Sequence, residues 1–277
     1  MSKRKKKSKK KSPDHPCWFL DTSVFINRFF GHPRLKQDIK QTIHTIPCYT
    51  SFFVSYEFKR SVIRTLIEWY YLVKEEGPAD ALYTYKESFK PGGTSIIVGA
   101  IASLLARGDV SSNKLKALSS LEALILNSLQ DFQSMVKEFV ENKTKCPLGK
   151  ASITTGSPDF ADFMEQTKCE ADCTVSQFWK SQKGVLKVLT SCNDEYKKNK
   201  GFKKMLPVLH EVLKDHDRGQ MISNCAQLGD AIIAIEMPAK CTMLTYDKSY
   251  ESLCPLLGKE VYRLLSLSEL GKRNAQA

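Results

Sequence analysis

No segment of this sequence is both long and apolar enough to cross a membrane. The longest uncharged apolar run, IIVGAIASLLA (96–106), falls short of the ~20 residues that a spanning helix needs. A secretory signal is also missing, because the lysine-rich start is followed by Ser-Pro-Asp-His-Pro and only a short apolar run. Histidine is scarce, at five in 277 residues, and no Cys–His or Ser–His catalytic motif occurs. His210 and His216 lie near Asp215 and Asp217, but not at a ligand spacing on one helix face, and they read as a polar helix end. Glycine-rich phosphate loops are absent, and PGGTS (91–95) reads as a hinge. There is no internal repeat. These gaps exclude a membrane span, a nucleophilic triad and a P-loop enzyme.

Acid is absent from the first twelve residues, MSKRKKKSKKKS, which carry eight lysines or arginines. The formal net charge is +12, from 42 basic and 30 acidic residues; without those eight, 34 basic residues face 30 acidic ones. Most of the basicity is therefore tail. A block of like charge without apolar residues cannot fold alone, so residues 1–16 are expected to be a disordered basic tail. Such a tail attracts a polyanion, most simply nucleic acid, in a salt-sensitive way. Residues 269–277 are expected to be a flexible C-terminus.

Nine cysteines, an odd number scattered over a large chain, fit the reduced thiols of an intracellular protein, cytoplasmic in the first instance, with the nucleus also open. Cys146, Cys169, Cys173 and Cys192 could in principle form a zinc site. Their spacing lacks two compact knuckles and includes no histidine, so buried structural thiols fit better.

With 42% hydrophobic residues, most of the chain should fold. CWFLD (17–21) reads as a first strand, and a helix is expected within Pro33–Ile46, ended by Pro47. CYTSFFVS (48–55) reads as a second strand, with Ser55 available to cap a helix bearing Phe58, Val62, Leu66 and Trp69 on one face. Near the C-terminus, SNCAQLGDAIIAIEM (223–237) reads as a helix. CTMLTYD (241–247) and VYRLLSL (261–267) read as strands with a short helix between them. This alternation implies an α/β domain with a parallel sheet formed from both ends of the chain, residues 17–75 and 218–268. Residues 76–217 break the rhythm and read as a mainly α-helical insertion. It includes an amphipathic stretch from Asn113 to Glu141, with Leu118, Leu121, Ile125, Leu129, Phe132, Val136 and Phe139 on its buried face. A loop near 142–158 and helices near 159–166, 174–189 and 195–214 complete it.

Four acids interrupt the apolar elements. Asp21 ends the first strand, Glu57 lies just past the second, Asp230 breaks the apolar face of LGDAIIAIEM, and Asp247 closes LTYD. Each has an ordinary alternative as a cap, a first-turn acid or a turn residue. In a parallel sheet, however, ligands collect beyond the carboxyl ends of the strands. Carboxylates converging there would repel one another unless a hard divalent cation, Mg²⁺ or Mn²⁺, neutralised them.

In order, FLDTSVFIN, VSYEFKR, LGDAIIAIEM and LTYDKSYESL resemble the motifs of the PIN domain nuclease family. Asp21, Glu57, Asp230 and Asp247 match its four acidic positions, and Thr22, Ser23 and Thr245 its hydroxyl positions. The resemblance covers about 17–75 and 218–268; compact, toxin-type members lack the long insertion. It implies a PIN-like α/β fold and a metal-dependent endonuclease holding one or two Mg²⁺ or Mn²⁺ ions on the four acids. Hydrolysis would leave 5′-phosphate and 3′-hydroxyl ends, on RNA in the first instance, with DNA open. Thr22, Ser23 and Thr245 would orient the carboxylates or the attacking water. Lys59, Arg60, Arg64 and Lys248 could hold the backbone of the nucleic acid, although a solvated helix face explains them as well. Ile233 and Ser249 stand where some members carry a further acid, which implies one firmly held ion and a second that comes with substrate. Toxin-type members also have an inhibitor protein as partner. The rival reading is a non-catalytic PIN-like scaffold that binds nucleic acid; such scaffolds commonly lose an acid, and all four are present here.

Overall fold

The computed structural model describes residues 17–88, 95–146, 148, 152–153, 160–169 and 174–275. The basic tail, the Pro91-Gly92-Gly93 hinge, much of the 142–158 loop and Cys173 lie outside the described residues.

The chain opens with β1 (Trp18–Leu20), α1 (Thr22–Phe30), α2 (Pro33–Ile43), β2 (Cys48–Thr50) and α3 (Phe52–Phe58). A π-helical turn, Lys59–Ile63, leads into α4 (Arg64–Glu76). The middle contributes α5 (Pro78–Ser88), α6 (Ser95–Leu105), α7 (Gly108–Ser111), α8 (Lys114–Ser134) and β3 (Glu138–Phe139). It continues through α9 (Phe160–Gln166), α10 (Val175–Ser181), α11 (Lys183–Thr190), α12 (Asp194–Lys197) and α13 (Lys200–Lys214). A 3₁₀ turn (His216–Gln220), α14 (Ile222–Gln227), α15 (Gly229–Glu236), β4 (Thr242–Thr245), α16 (Tyr250–Leu256), β5 (Glu260–Arg263) and α17 (Leu267–Ala275) complete the chain.

The five strands pair in parallel in the order β3-β2-β1-β4-β5. β1 and β4 are buried at every position, as expected for central strands covered on both faces. The chain winds outward from β1 through β2 to β3, then returns to the centre for β4 and β5. Its direction of winding therefore reverses between β1 and β4, and the carboxyl ends of such a pair open the crevice of a doubly wound sheet. Asp21 follows β1 at that edge, and Tyr246 and Asp247 follow β4.

Several elements differ from the sequence reading. FLDTSVFIN holds only the end of a strand, because Asp21 caps α1 and turns the apolar run into a helix. β2 stops at Thr50 because the Ser51 hydroxyl accepts the Val54 N–H (3.2 Å) and starts α3; Ser55 is inside the helix and is not its cap. The helix expected over 223–237 breaks at Leu228 into α14 and α15. The amphipathic stretch ends at Ser134, and Phe139 belongs to β3, which pairs with β2 through Tyr49↔Glu138 and Thr50↔Phe139. The sheet is thus not built from the two ends of the chain alone. The middle segment also packs on it, with the Phe132 ring 4.2 Å from Phe25 and 4.7 Å from Phe58, centroid to centroid. The C-terminus is helical through Ala275, and its N-terminal cap is a Ser266–Glu269 box in which the Ser266 N–H donates to the Glu269 carboxylate (3.0 Å).

The expectation of reduced thiols also needs correction. β1 and β4 pair in the register Trp18↔Thr242, which sets Cys17 beside Cys241 with Cα atoms 4.7 Å apart, and the two form a disulfide. Cys48, Cys192 and Cys254 are free thiols. Among the described residues, no helix is long and apolar enough to cross a membrane.

Candidate functional site

Asp21 is 3% exposed and carries two roles at once. Its Oδ2 accepts the Ser23 N–H (3.2 Å), the Ser23 hydroxyl (2.5 Å) and the Thr245 hydroxyl (2.9 Å). Its Oδ1 accepts the Tyr250 hydroxyl (3.2 Å). The first of these contacts is an N-cap, so the cap reading is correct; the Ser23 hydroxyl also belongs to α1, while the Thr245 and Tyr250 hydroxyls come from β4 and α16 and serve no helix. Burial pushes the Asp21 carboxyl above its usual range against the opposing pull of its hydroxyl donors, and Asp247 adds to the rise.

A web of hydroxyls ties the acids of the edge together. Thr245 Oγ1, while donating to Asp21, accepts the Asp247 N–H (2.8 Å). Ser249 donates its N–H to Asp247 Oδ1 (2.7 Å) and its hydroxyl to Asp230 Oδ2 (2.6 Å). Ser23 Oγ accepts the Tyr246 N–H (3.0 Å). On the other side, the Thr22 hydroxyl donates to Glu57 Oε2 (2.7 Å), linking α1 to α3. Gly229, at the start of α15, lies directly against Glu57 Oε1, where any Cβ would collide with the carboxylate.

The acids raise one another. Burial pushes Glu57 up to about 8, with the charges of Asp230 and Asp21 adding to it. Asp230 is pushed up to about 7 by burial and then by Asp247 and Asp21. Both are half-buried by surface, and for Glu57 the exposed part faces a cavity of about 330 Å³ that it shares with Thr22, Phe53, Tyr56, Arg60, Ser61 and Ala226. Among the described residues none of the four acids forms an ion pair with a lysine or arginine. Nor is any group of three or more acidic, histidine or cysteine side chains placed to hold a metal ion as it stands. The carboxylates are separated by hydroxyls, the arrangement that mutually repelling, uncompensated acids adopt. An all-oxygen donor set that is part-buried and short of positive charge fits a hard divalent cation chemically.

The four basic positions divide. Lys59 is buried at 7% exposure and lowered to about 8 by burial, which removes it from the surface. Arg64 is spent on Glu68 (3.0 Å) and Lys248 on Glu269 (3.1 Å). Arg60 lines the cavity beside Glu57. Of the cysteines considered for zinc, Cys146 and Cys192 are buried and Cys169 half-buried, while Cys173 lies outside the described residues.

Three further residues belong to the site. Tyr250 and Ser249 lie in YDKSYES, a stretch with the composition of a turn. Their roles depend on α16 folding back over β1, which no local pattern announces. Gly229 precedes Asp230 in an apolar helix, and its need for a bare Cα is set by Glu57, far away in sequence.

No family model matches the chain, and neither a curated protein nor a solved structure is significantly similar to it.

Proposed function

We propose that the chain is a metal-dependent endonuclease of the PIN type, hydrolysing RNA to 5′-phosphate and 3′-hydroxyl ends. One observation carries this reading: four acids that form no ion pair with a lysine or arginine among the described residues lie around the point where the sheet reverses, beside an open cavity. The choice of RNA over DNA rests on the motif resemblance. Asp21, Glu57, Asp230 and Asp247 would hold Mg²⁺ or Mn²⁺, which supplies Lewis acidity and charge neutralisation for phosphodiester hydrolysis when bound.

The chain's own groups do the positioning. Ser23, Thr245 and Tyr250 fix both oxygens of Asp21, and Thr22 fixes Glu57. Ser249 couples Asp230 to Asp247 through one residue, its hydroxyl donating to Asp230 and its backbone N–H to Asp247. Glu57, raised to about 8, keeps a proton near neutral pH and would have to release it to serve as a metal ligand.

The test is to incubate purified protein with mixed RNA and DNA substrates, with Mn²⁺, with Mg²⁺ and with EDTA. RNA cleavage that requires the cation and drops by about 100-fold or more in Asp21→Asn is the expected result. Intact RNA under every condition, or an Asp21→Asn variant as active as the parent, overturns the proposal.

A further inference from the structure

The cavity beside Glu57 does not end at the acids. A second cavity, of about 700 Å³, is lined by Arg60, Asp217, Gln220, Met221, Ile222, Ser223 and Ala226. The two share Arg60 and Ala226, so one groove runs from Glu57 past Arg60 to α14. Its far wall carries Met221 and Ile222, neighbouring apolar side chains that are 46% and 49% exposed. Between them and the acids stands the Arg60 guanidinium. It lies 5.8 Å from the centre of the Tyr56 ring and donates to the Tyr56 hydroxyl (3.0 Å). Among the described residues Arg60 has no ion pair, although Glu57 is near enough to feel its charge. Most of its five N–H donors are therefore left for a ligand. The acid that lines the second cavity, Asp217, is paired with Lys180 (3.4 Å).

A cation held at a fixed angle, followed outward by a small apolar shelf, matches a phosphate followed by an unstacked base. We infer that this groove binds single-stranded nucleic acid, with Arg60 holding a phosphate next to the reacting bond and Met221 with Ile222 beneath the adjoining base. This rests on the nuclease reading for its polarity, but not for its binding. A duplex does not fit, because its bases are stacked on one another and offer no free face to the shelf. Arg60 is a positioning residue here, acting on the strand and not on the reacting atoms.

The probe is a short fluorescent single-stranded RNA, compared with the duplex of the same sequence, bound to the full chain in EDTA so that nothing is cleaved. The basic tail is present in every arm and so drops out of the comparison. Arg60→Ala should weaken single-strand binding by about tenfold and lower the salt slope by about 0.7. Met221→Ser/Ile222→Ser should weaken it by about tenfold with the salt slope unchanged, as loss of a stacking surface requires. Duplex binding should be weaker and the same for all three proteins. Either variant binding the single strand as the parent does, with an unchanged Tm, overturns the inference, and so does an equal loss on the duplex. If the parent never cleaves but shows this binding pattern, the nuclease reading falls and the groove stands. If it cleaves while binding ignores both variants, the groove falls alone.

Discussion

The two ends of the β1–β4 strand pair are opposites. At the amino end, Cys17 and Cys241 close the pair covalently. Just before Cys241 in sequence, the carbonyls of Ala234, Ile235 and Met237 accept from the Lys259 ammonium (2.6, 2.9 and 2.6 Å), which caps the last turn of α15. At the carboxyl end, the same pair leads into Asp21, four residues after Cys17, and Asp247, six after Cys241, where the charge of Asp247 helps raise Asp21 and Asp230. One end is held by a covalent bond that protons and metal ions do not break; the other answers to both. The difference teaches how a repulsive site is tolerated: the strands cannot part, because their far ends are tied.

The largest effect is therefore expected from untying them. The disulfide spans 224 residues of sequence, and Cys17→Ala/Cys241→Ala should cost about 2–4 kcal/mol in chemical denaturation. The proposed nuclease activity should persist at temperatures where the variant remains folded, since neither Cys17 nor Cys241 is a hydrogen-bond partner of Asp21, Glu57 or Asp230. A stability equal to the parent's would mean that the hydrogen bonds of β1 and β4 hold that end unaided.

The acid end should respond to pH in a definite direction. Glu57 rises from 4.5 to about 8 on folding and Asp230 from 3.8 to about 7. An acid raised by folding costs nothing while protonated, so its contribution is intact below its unfolded value and is lost as pH climbs through its folded value. The Tm of the metal-free chain should fall between about 4.5 and about 8. Mg²⁺ or Mn²⁺ should restore more of it at the alkaline end, where the ligands are already ionised. Glu57→Gln should flatten both trends. A metal-free Tm that rises over that window would mean that the acids do not crowd one another.

Much of this end was legible before any coordinates. The continuous apolar runs of β1 and β4 betray buried parallel strands, and an acid at the close of each can be read directly. What escaped was whatever depended on distant partners. α1 was hidden because an apolar run beginning Thr-Ser-Val suits strand and helix equally, and only the Asp21 cap decides between them. β3 has two residues, too few for any periodicity, and exists because the edge of β2 offers it the Cys48 and Thr50 carbonyls (both 2.8 Å). The Cys17–Cys241 bond depends on register between segments from opposite ends of the chain. The Ser-x-x-Glu box at 266–269 is a different case: its signal is local, and it marks a helix within the segment expected to be flexible.

The smallest effect should come from a fifth acid, which sharpens what distinguishes the other four. Glu236, at the end of α15, is 1% exposed, and neither carboxylate oxygen has a hydrogen-bond partner of good geometry. Burial pushes it up to about 7, while the Ser51 hydroxyl and the backbone at Thr144 and Lys143 lie near enough to hold it down in part. By its pKa alone it resembles Asp230. Yet no acid is among the main causes of its shift, and it lines neither cavity of the groove. Isolation, and not the size of the shift, separates a buried acid from a site. Glu236→Gln should therefore leave RNA cleavage within about twofold of the parent. It should remove only that part of the pH-dependent stability loss that falls between 4.5 and about 7. A loss of cleavage as deep as that of Asp21→Asn, at unchanged Tm, would bring Glu236 into the site and dissolve the distinction.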